Sequence, residues 1–338
     1  MHKKTDVTKN LPRHSACSIE LKGGAGGIVN MCPCIGFVEI YKVDMTFQVQ
    51  SPEDLDPEET DPNMSWVVKS MPGVGCGNEI VARLMVQSRT FVEILIHDEK
   101  KMNKIMHYMR QCKELLLICD AISKEVSCDV QKISKQIDRK EIHYDRRMRV
   151  FNPFPQVNEL EDKCIRFLTN SKNFLQSLAE VFNIFYDGNC HGPHFHKICE
   201  ILNNKHGNDH AFFLWVKDNQ ATIKYIVDLR NAQEHPKDSL HLEIKNFSVA
   251  NGNKITSPIW KLMGCREQHI DEEMKTITNY LLEFAELFLI FCAISSEKLG
   301  ILYVVVEIPE AQRNKECPVR YQPEIDRSKL LILNTPKE

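Results

Sequence analysis

Apolar residues recur at alternating three- and four-residue steps through the middle of this chain, a period that predicts amphipathic helices. Met102, Ile105, Met109, Cys112, Leu116 and Cys119 draw one such stripe, and Leu160, Cys164, Phe167, Ser171, Leu175, Leu178, Phe182 and Phe185 draw a second. The segment Ile277, Tyr280, Leu281, Phe284, Leu287, Phe288, Phe291 and Ile294 has a broader apolar face. That breadth fits the most buried helix of a bundle, or one shared with a partner subunit. A further helix is predicted from about Ala211 to the turn before Pro236. Helical periodicity as a whole runs from about residue 78 to residue 298.

Alternation with period two is confined to the flanks and one insertion. Gly36 to Gln50 predicts a strand pair, Trp66 to Lys69 a short strand, and 302–308 and 330–333 two more. Residues 241–262 predict a β-hairpin between the last two helices, with Asn251-Gly252-Asn253 as its turn and room to roof the end of the Ala211 helix. The acidic, proline-broken stretch 51–64 predicts a mobile loop. The expected fold is therefore mainly α, a helical bundle with small β additions at the N-terminus, between the last helices and at the C-terminus. Three segments are expected: an α/β or irregular region over 1–75, a helical domain with the hairpin over 76–298, and a β extension over 299–338.

The 338 residues, 43% hydrophobic and 26% charged, suit a soluble globular protein with a large core and a smaller appendage. A net charge of −3 excludes a broad basic surface, so any RNA contact must be local, in a cleft or across a dimer seam. Thirteen cysteines, several within the apolar stripes, and an N-terminus without a hydrophobic run point to a reducing cytoplasm. Leu281 to Ile294 is interrupted by Glu283 and Glu286 and is shorter than a bilayer span, so it predicts a core helix and no membrane segment.

Several clusters carry ligand-type residues. Cys190-His191-Gly192-Pro193-His194-Phe195-His196-Lys197-Ile198-Cys199 has zinc-binding side chains at spacings that match no standard finger, and a loop leading into a helix is expected there. Cys32-Pro33-Cys34, with Cys17 and Cys76, likewise lacks the usual C-x-x-C knuckle. No metal or cofactor is expected. Gly73-Val74-Gly75-Cys76-Gly77 lacks the lysine of a phosphate loop and predicts a flexible turn. Residues 139–149 interleave basic and aromatic side chains; a solvated helix end is expected, with Arg146, Arg147 and Arg149 as candidate RNA contacts.

One stretch carries chemistry. In Asp228-Leu229-Arg230-Asn231-Ala232-Gln233-Glu234-His235-Pro236 an arginine followed by a polar amide is separated by four residues from a histidine, the only R-x-x-x-x-H match in the chain. Arginine stays charged and forks two donors onto a phosphate, while histidine exchanges a proton near neutrality. Residues five apart diverge by roughly 140° on a helix, but a following proline disfavours helical backbone at His235 and frees it to swing back. Asn231 and His235, four apart, would share a helical face.

The segment Arg230-Asn231-x-x-x-His235, near the end of a late helix, resembles the signature of the HEPN superfamily. The resemblance covers roughly residues 98–298 and rests on this one motif and the helix order. It implies a metal-independent endoribonuclease, a toxin or antiviral-defence effector, cleaving RNA to 2′,3′-cyclic phosphate and 5′-hydroxyl ends. It also implies a homodimer in which two motifs face each other, with an antitoxin or regulatory protein as a further partner. In that frame His235 handles the proton, Arg230 holds the phosphate and Asn231 orients one of them, with Asp228 and Glu234 as supporting carboxylates. The alternative is a catalytically inactive HEPN-like module for dimerisation or for nucleotide or RNA binding.

Overall fold

Alternating side chains near the N-terminus build a sheet. The computed structural model describes residues 18–296 and 303–326. Four strands, β1 (Asn30–Cys34), β2 (Phe37–Tyr41), β3 (Met45–Gln50) and β4 (Val67–Pro72), form an antiparallel meander in sequence order. Ile40, Phe47 and Val49 form a core cluster that Ile19, Leu21, Val38 and Met45 flank. Glu39 is wholly buried, yet its carboxylate accepts from the Tyr41 hydroxyl and, at 3.2 Å, from Gln48 Nε2. A buried carboxylate is tolerable only with such partners.

The stretch expected to be mobile consists of capped turns. Ser51 and Asp54 form a reciprocal capping box on α1 (Pro52–Leu55), and Asp56 accepts from the amides of Thr60 and Asp61 at 3.1 and 2.8 Å. The glycine-rich segment is likewise packed rather than flexible. Its amides at Cys76 and Gly77 donate to Lys42 and Val43 carbonyls at 3.0 and 2.8 Å, so they are spent on the β2–β3 turn instead of a phosphate. A Cβ on Gly75 would lie 2.4 Å from the Lys42 carbonyl oxygen, so glycine is what allows the approach.

After this turn come α2 (Glu79–Val81), a π-helical segment (Ala82–Gln87) and α3 (Ser88–Leu95). Residues up to His107 group with the C-terminal strands as one compact unit, and Tyr108 onward form a second. The reason lies in long-range polar contacts. Arg89 donates to the Met31 carbonyl, and the Gln87 side chain accepts from the amides of Arg320 and Tyr321 at 2.7 and 2.8 Å.

The second unit is a helical bundle, mainly α as expected. It contains most of α4 (Glu99–Asp138), α5 (Leu160–Tyr186), α6 (Phe195–His206), α7 (Ala211–Glu234) and α8 (Ile270–Ser296). Helices α4 and α5 run antiparallel. The Cys112 thiol reaches the Phe174 carbonyl, Cys119 reaches Phe167, and Lys163 pairs with Glu125 and Asp129 at 2.8 and 3.2 Å. Helices α7 and α8 are also antiparallel, with Phe212 stacked on Phe291, Trp215 on Phe284, and the Tyr280 hydroxyl donating to Asn219 Oδ1 at 3.0 Å. Phe288 of α8 lies among Phe182, Phe195, Phe212 and Trp215. By length and composition α8 is apolar enough to cross a membrane, but two thirds of its apolar window is buried in this core.

Residues 139–151 do not continue the helix: β5 (Tyr144–Asp145) pairs with β6 (Val150–Phe151) as a short ribbon. The expected hairpin forms from β7 (Leu242–Lys245) and β10 (Ile259–Leu262), with β8 (Ser248–Ala250) and β9 (Lys254–Thr256) as its tip and β11 (Gln268–His269) beside β10. Trp260 carries it onto Phe167, and the Asn246 side chain bonds both backbone polar groups of Val157. Strands β12 (Tyr303–Glu307) and β13 (Tyr321–Ile325) pair in the first unit. The strand expected at 330–333, Cys17, and residues 297–302 lie outside the described residues.

His206, near the end of α6, has its ring against His210 and its Nε2 3.1 Å from the Tyr186 hydroxyl. Burial, and then the neighbouring His210 and Lys205, hold its pKa below the ordinary histidine value. The unfolded chain therefore binds a proton more readily, and stability falls as pH drops below about 6.5 towards the lowered folded value. The melting temperature is expected to fall between pH 7.5 and pH 5.5, and His206→Gln to shrink that fall. An unchanged pH dependence in the variant would remove this histidine from the account.

Candidate functional site

Ile223, Ile226, Leu229 and Ala232 anchor α7 in the bundle, which leaves its last turn to present polar groups. Pro236 disfavours helical backbone at the preceding residue, and α7 stops at Glu234. His235 is the C-cap, with φ −130° and ψ 63°, and its amide still donates to the Asn231 carbonyl at 2.9 Å.

Leaving the helix turns the His235 ring back. Its Nε2 lies 3.2 Å from Glu234 Oε2, and the Arg230 guanidinium pairs with the same oxygen. One carboxylate thus gathers the arginine and the histidine that an ideal helix would separate. The His235 side chain is 68% exposed and Arg230 16%, so the imidazole faces solvent while the guanidinium is partly sheltered.

Asn231 reaches towards α5. Its Oδ1 accepts from Lys172 Nζ of α5 at 2.9 Å, which places Lys172 in the site although 59 residues separate the two in sequence. Burial, and then the charge of Arg230, push the Lys172 pKa down. Sequence reasoning missed this lysine because it sits one position from Ser171 in an ordinary apolar stripe, and no local motif marks it. Asp228 does not join the group; Lys224, one turn earlier, holds its carboxylate.

Arg146, Arg147 and Arg149 are exposed on the β5–β6 turn. Asp145 organises that turn by accepting from the amides of Arg147 and Met148 at 2.7 and 3.0 Å, and these bonds hold its carboxyl below the usual range. The ribbon is tied to the hairpin tip, where Asn253 Nδ2 donates to the Tyr144 hydroxyl at 3.2 Å.

The Cys/His-rich loop leads into α6 as expected, with His194 at the N-cap. Cys190 and Cys199 are buried, His194 and His196 are exposed, and burial pushes both thiols up. Among the described residues no three His, Cys, Asp or Glu side chains are arranged to hold a metal ion. Burial raises Cys119 and Cys164 to about 12, so these stripe cysteines act as core residues rather than nucleophiles. The His194 pKa is held down by burial and then by the charges of His196, Lys197 and Lys172. Comparison of the chain with protein-family models, curated proteins and solved structures finds no match.

Proposed function

We propose that this chain is a metal-independent endoribonuclease of the HEPN type. The observation that supports the reading is the convergence of Arg230 and His235 on Glu234 at the solvent-facing end of α7. A phosphodiester drawn to this end meets a planar cation that binds two of its oxygens and an imidazole that moves a proton.

In the reaction His235 takes the proton of the ribose 2′-hydroxyl as O2′ attacks phosphorus. Arg230 holds the growing negative charge on the phosphoryl oxygens. The bond to the 5′-oxygen breaks, and that oxygen takes up a proton, leaving a 2′,3′-cyclic phosphate and a 5′-hydroxyl. Glu234 holds the imidazole and the guanidinium in register before substrate arrives. The step needs a base and an acid, whereas the motif supplies one histidine. A homodimer that opposes two copies of α7 supplies the second.

The test is incubation of the purified chain with single-stranded RNA in a chelator, with the ends of the fragments identified. Cleavage to cyclic phosphate ends is expected; intact RNA in the presence of folded dimer would leave only the inactive binding module. Light scattering at micromolar concentration is expected to give about twice the chain mass of 39.1 kDa. A strictly monomeric species that still cleaves would sink the paired-motif arrangement.

A further inference from the structure

We infer that Lys172 of α5 and Arg230 of α7 form one oxyanion site, which takes a backbone phosphate of single-stranded RNA. The inference rests on the nuclease reading and assigns the site a residue outside the motif.

The geometry begins with a half-buried lysine whose charge has no carboxylate beside it. Lys172 Nζ donates to the neutral Asn231 Oδ1 at 2.9 Å, and among the described residues no carboxylate lies within ion-pair distance of it. Lysine has three donors, so this bond leaves two to aim elsewhere. Its charged neighbour is a cation, Arg230, which adjoins Asn231 in the chain and disfavours the lysine's charge.

Two helices thus bring Lys172 and Arg230 together, while Glu234, the carboxylate on Arg230, is already shared with His235. Partly desolvated like charges repel, and a protein with net charge −3 gains nothing for its fold from gathering them. A bound anion reverses the sign of that energy. Lys172 supplies a point charge with rotatable donors and Arg230 a planar fork, a pair suited to the unequal oxygens of a phosphodiester.

RNA rather than a free nucleotide is the indicated ligand. The two cations lie on the end of α7 and one turn of α5, with His235 beside them exposed, so the site is an open surface rather than an enclosed nucleotide pocket. Asn231 then acts as a positioning residue, holding Lys172 beside the arginine.

The test is fluorescence anisotropy with a labelled 2′-O-methyl oligonucleotide, which lacks the attacking hydroxyl, over a series of salt concentrations. Lys172→Ala is expected to bind about tenfold more weakly, and its slope of log K against log salt to shrink by about 0.7, the value for one contact to a single strand. Lys172→Arg should keep the parent's slope. If Lys172→Ala does not fold, Lys172→Gln, which keeps the length of the side chain without its charge, serves instead with the same expected loss.

A neutral variant with the parent's slope overturns this inference, and it does so even where the parent cleaves RNA. A parent that binds and does not cleave, with the slope lost in Lys172→Ala, removes the nuclease reading and leaves the oxyanion site standing. A parent that neither binds nor cleaves overturns both. A mononucleotide bound with the oligonucleotide's affinity overturns the assignment to RNA.

Discussion

His235→Ala is expected to abolish RNA cleavage, and Arg230→Ala to slow it by about 10²-fold or more, as when other preorganised donors to a developing oxyanion are removed. The two losses differ in origin. His235 is the base of the proposed reaction, and it lies outside the helix with its ring largely in solvent, so truncation should remove chemistry without opening a cavity. Arg230 is partly sheltered and paired with Glu234. Its loss removes an i,i+4 ion pair of about 0.3–0.5 kcal/mol, which is small beside the catalytic term. Arg230→Lys should recover only part of the rate, because a point charge cannot replace a planar fork. Melting temperatures within a few degrees of the parent, measured on the same samples, separate a lost reaction from a lost fold. His235→Ala cutting RNA at the parent rate would end the proposed mechanism.

The largest loss of stability is expected from Phe288→Ala. The Phe288 ring is fully buried, and its centroid lies 5.5–6.4 Å from those of Phe182, Phe195, Phe212, Trp215 and Phe284. These neighbours come from four helices, so no single one can relax into the space. A large cavity in such a setting costs about 3–5 kcal/mol. Urea unfolding should show a lower midpoint with an unchanged slope. A loss under about 1 kcal/mol would mean that the cluster repacks and that α8 is not the centre of the bundle.

The centre of the bundle was legible because packing leaves a period in the sequence. Phe284, Leu287, Phe288 and Phe291 repeat at helical spacing, and the turn residues Asn251-Gly252-Asn253 mark the hairpin. The end of α7 was legible because Pro236 acts on its immediate neighbour. What escaped was set by contacts distant in sequence. The placement of the helices at 79–95 with the C-terminal strands depends on Gln87 meeting the amides of Arg320 and Tyr321, more than 230 residues away. Lys172 joins the site only because α5 and α7 lie side by side, and no pattern around position 172 records that. The capped turns of 51–61 escaped for a different reason. Their acidic composition signals disorder on average, while order comes from which amides Asp54 and Asp56 accept from.

Gly75 bears on how this chain can vary. Any other residue there would drive its first side-chain carbon into the backbone of Lys42, Val43 and Met45 at 2.4–2.5 Å, and backbone atoms cannot step aside as a flexible side chain can. In descendants of this sequence the position should therefore stay glycine whether or not the chain retains any activity. The turn between β2 and β3 would have to be rebuilt in the same step for a substitution to survive. A glycine fixed in this way would look, among homologues, like the hallmark of a phosphate loop, although what it preserves is the closeness of two backbones.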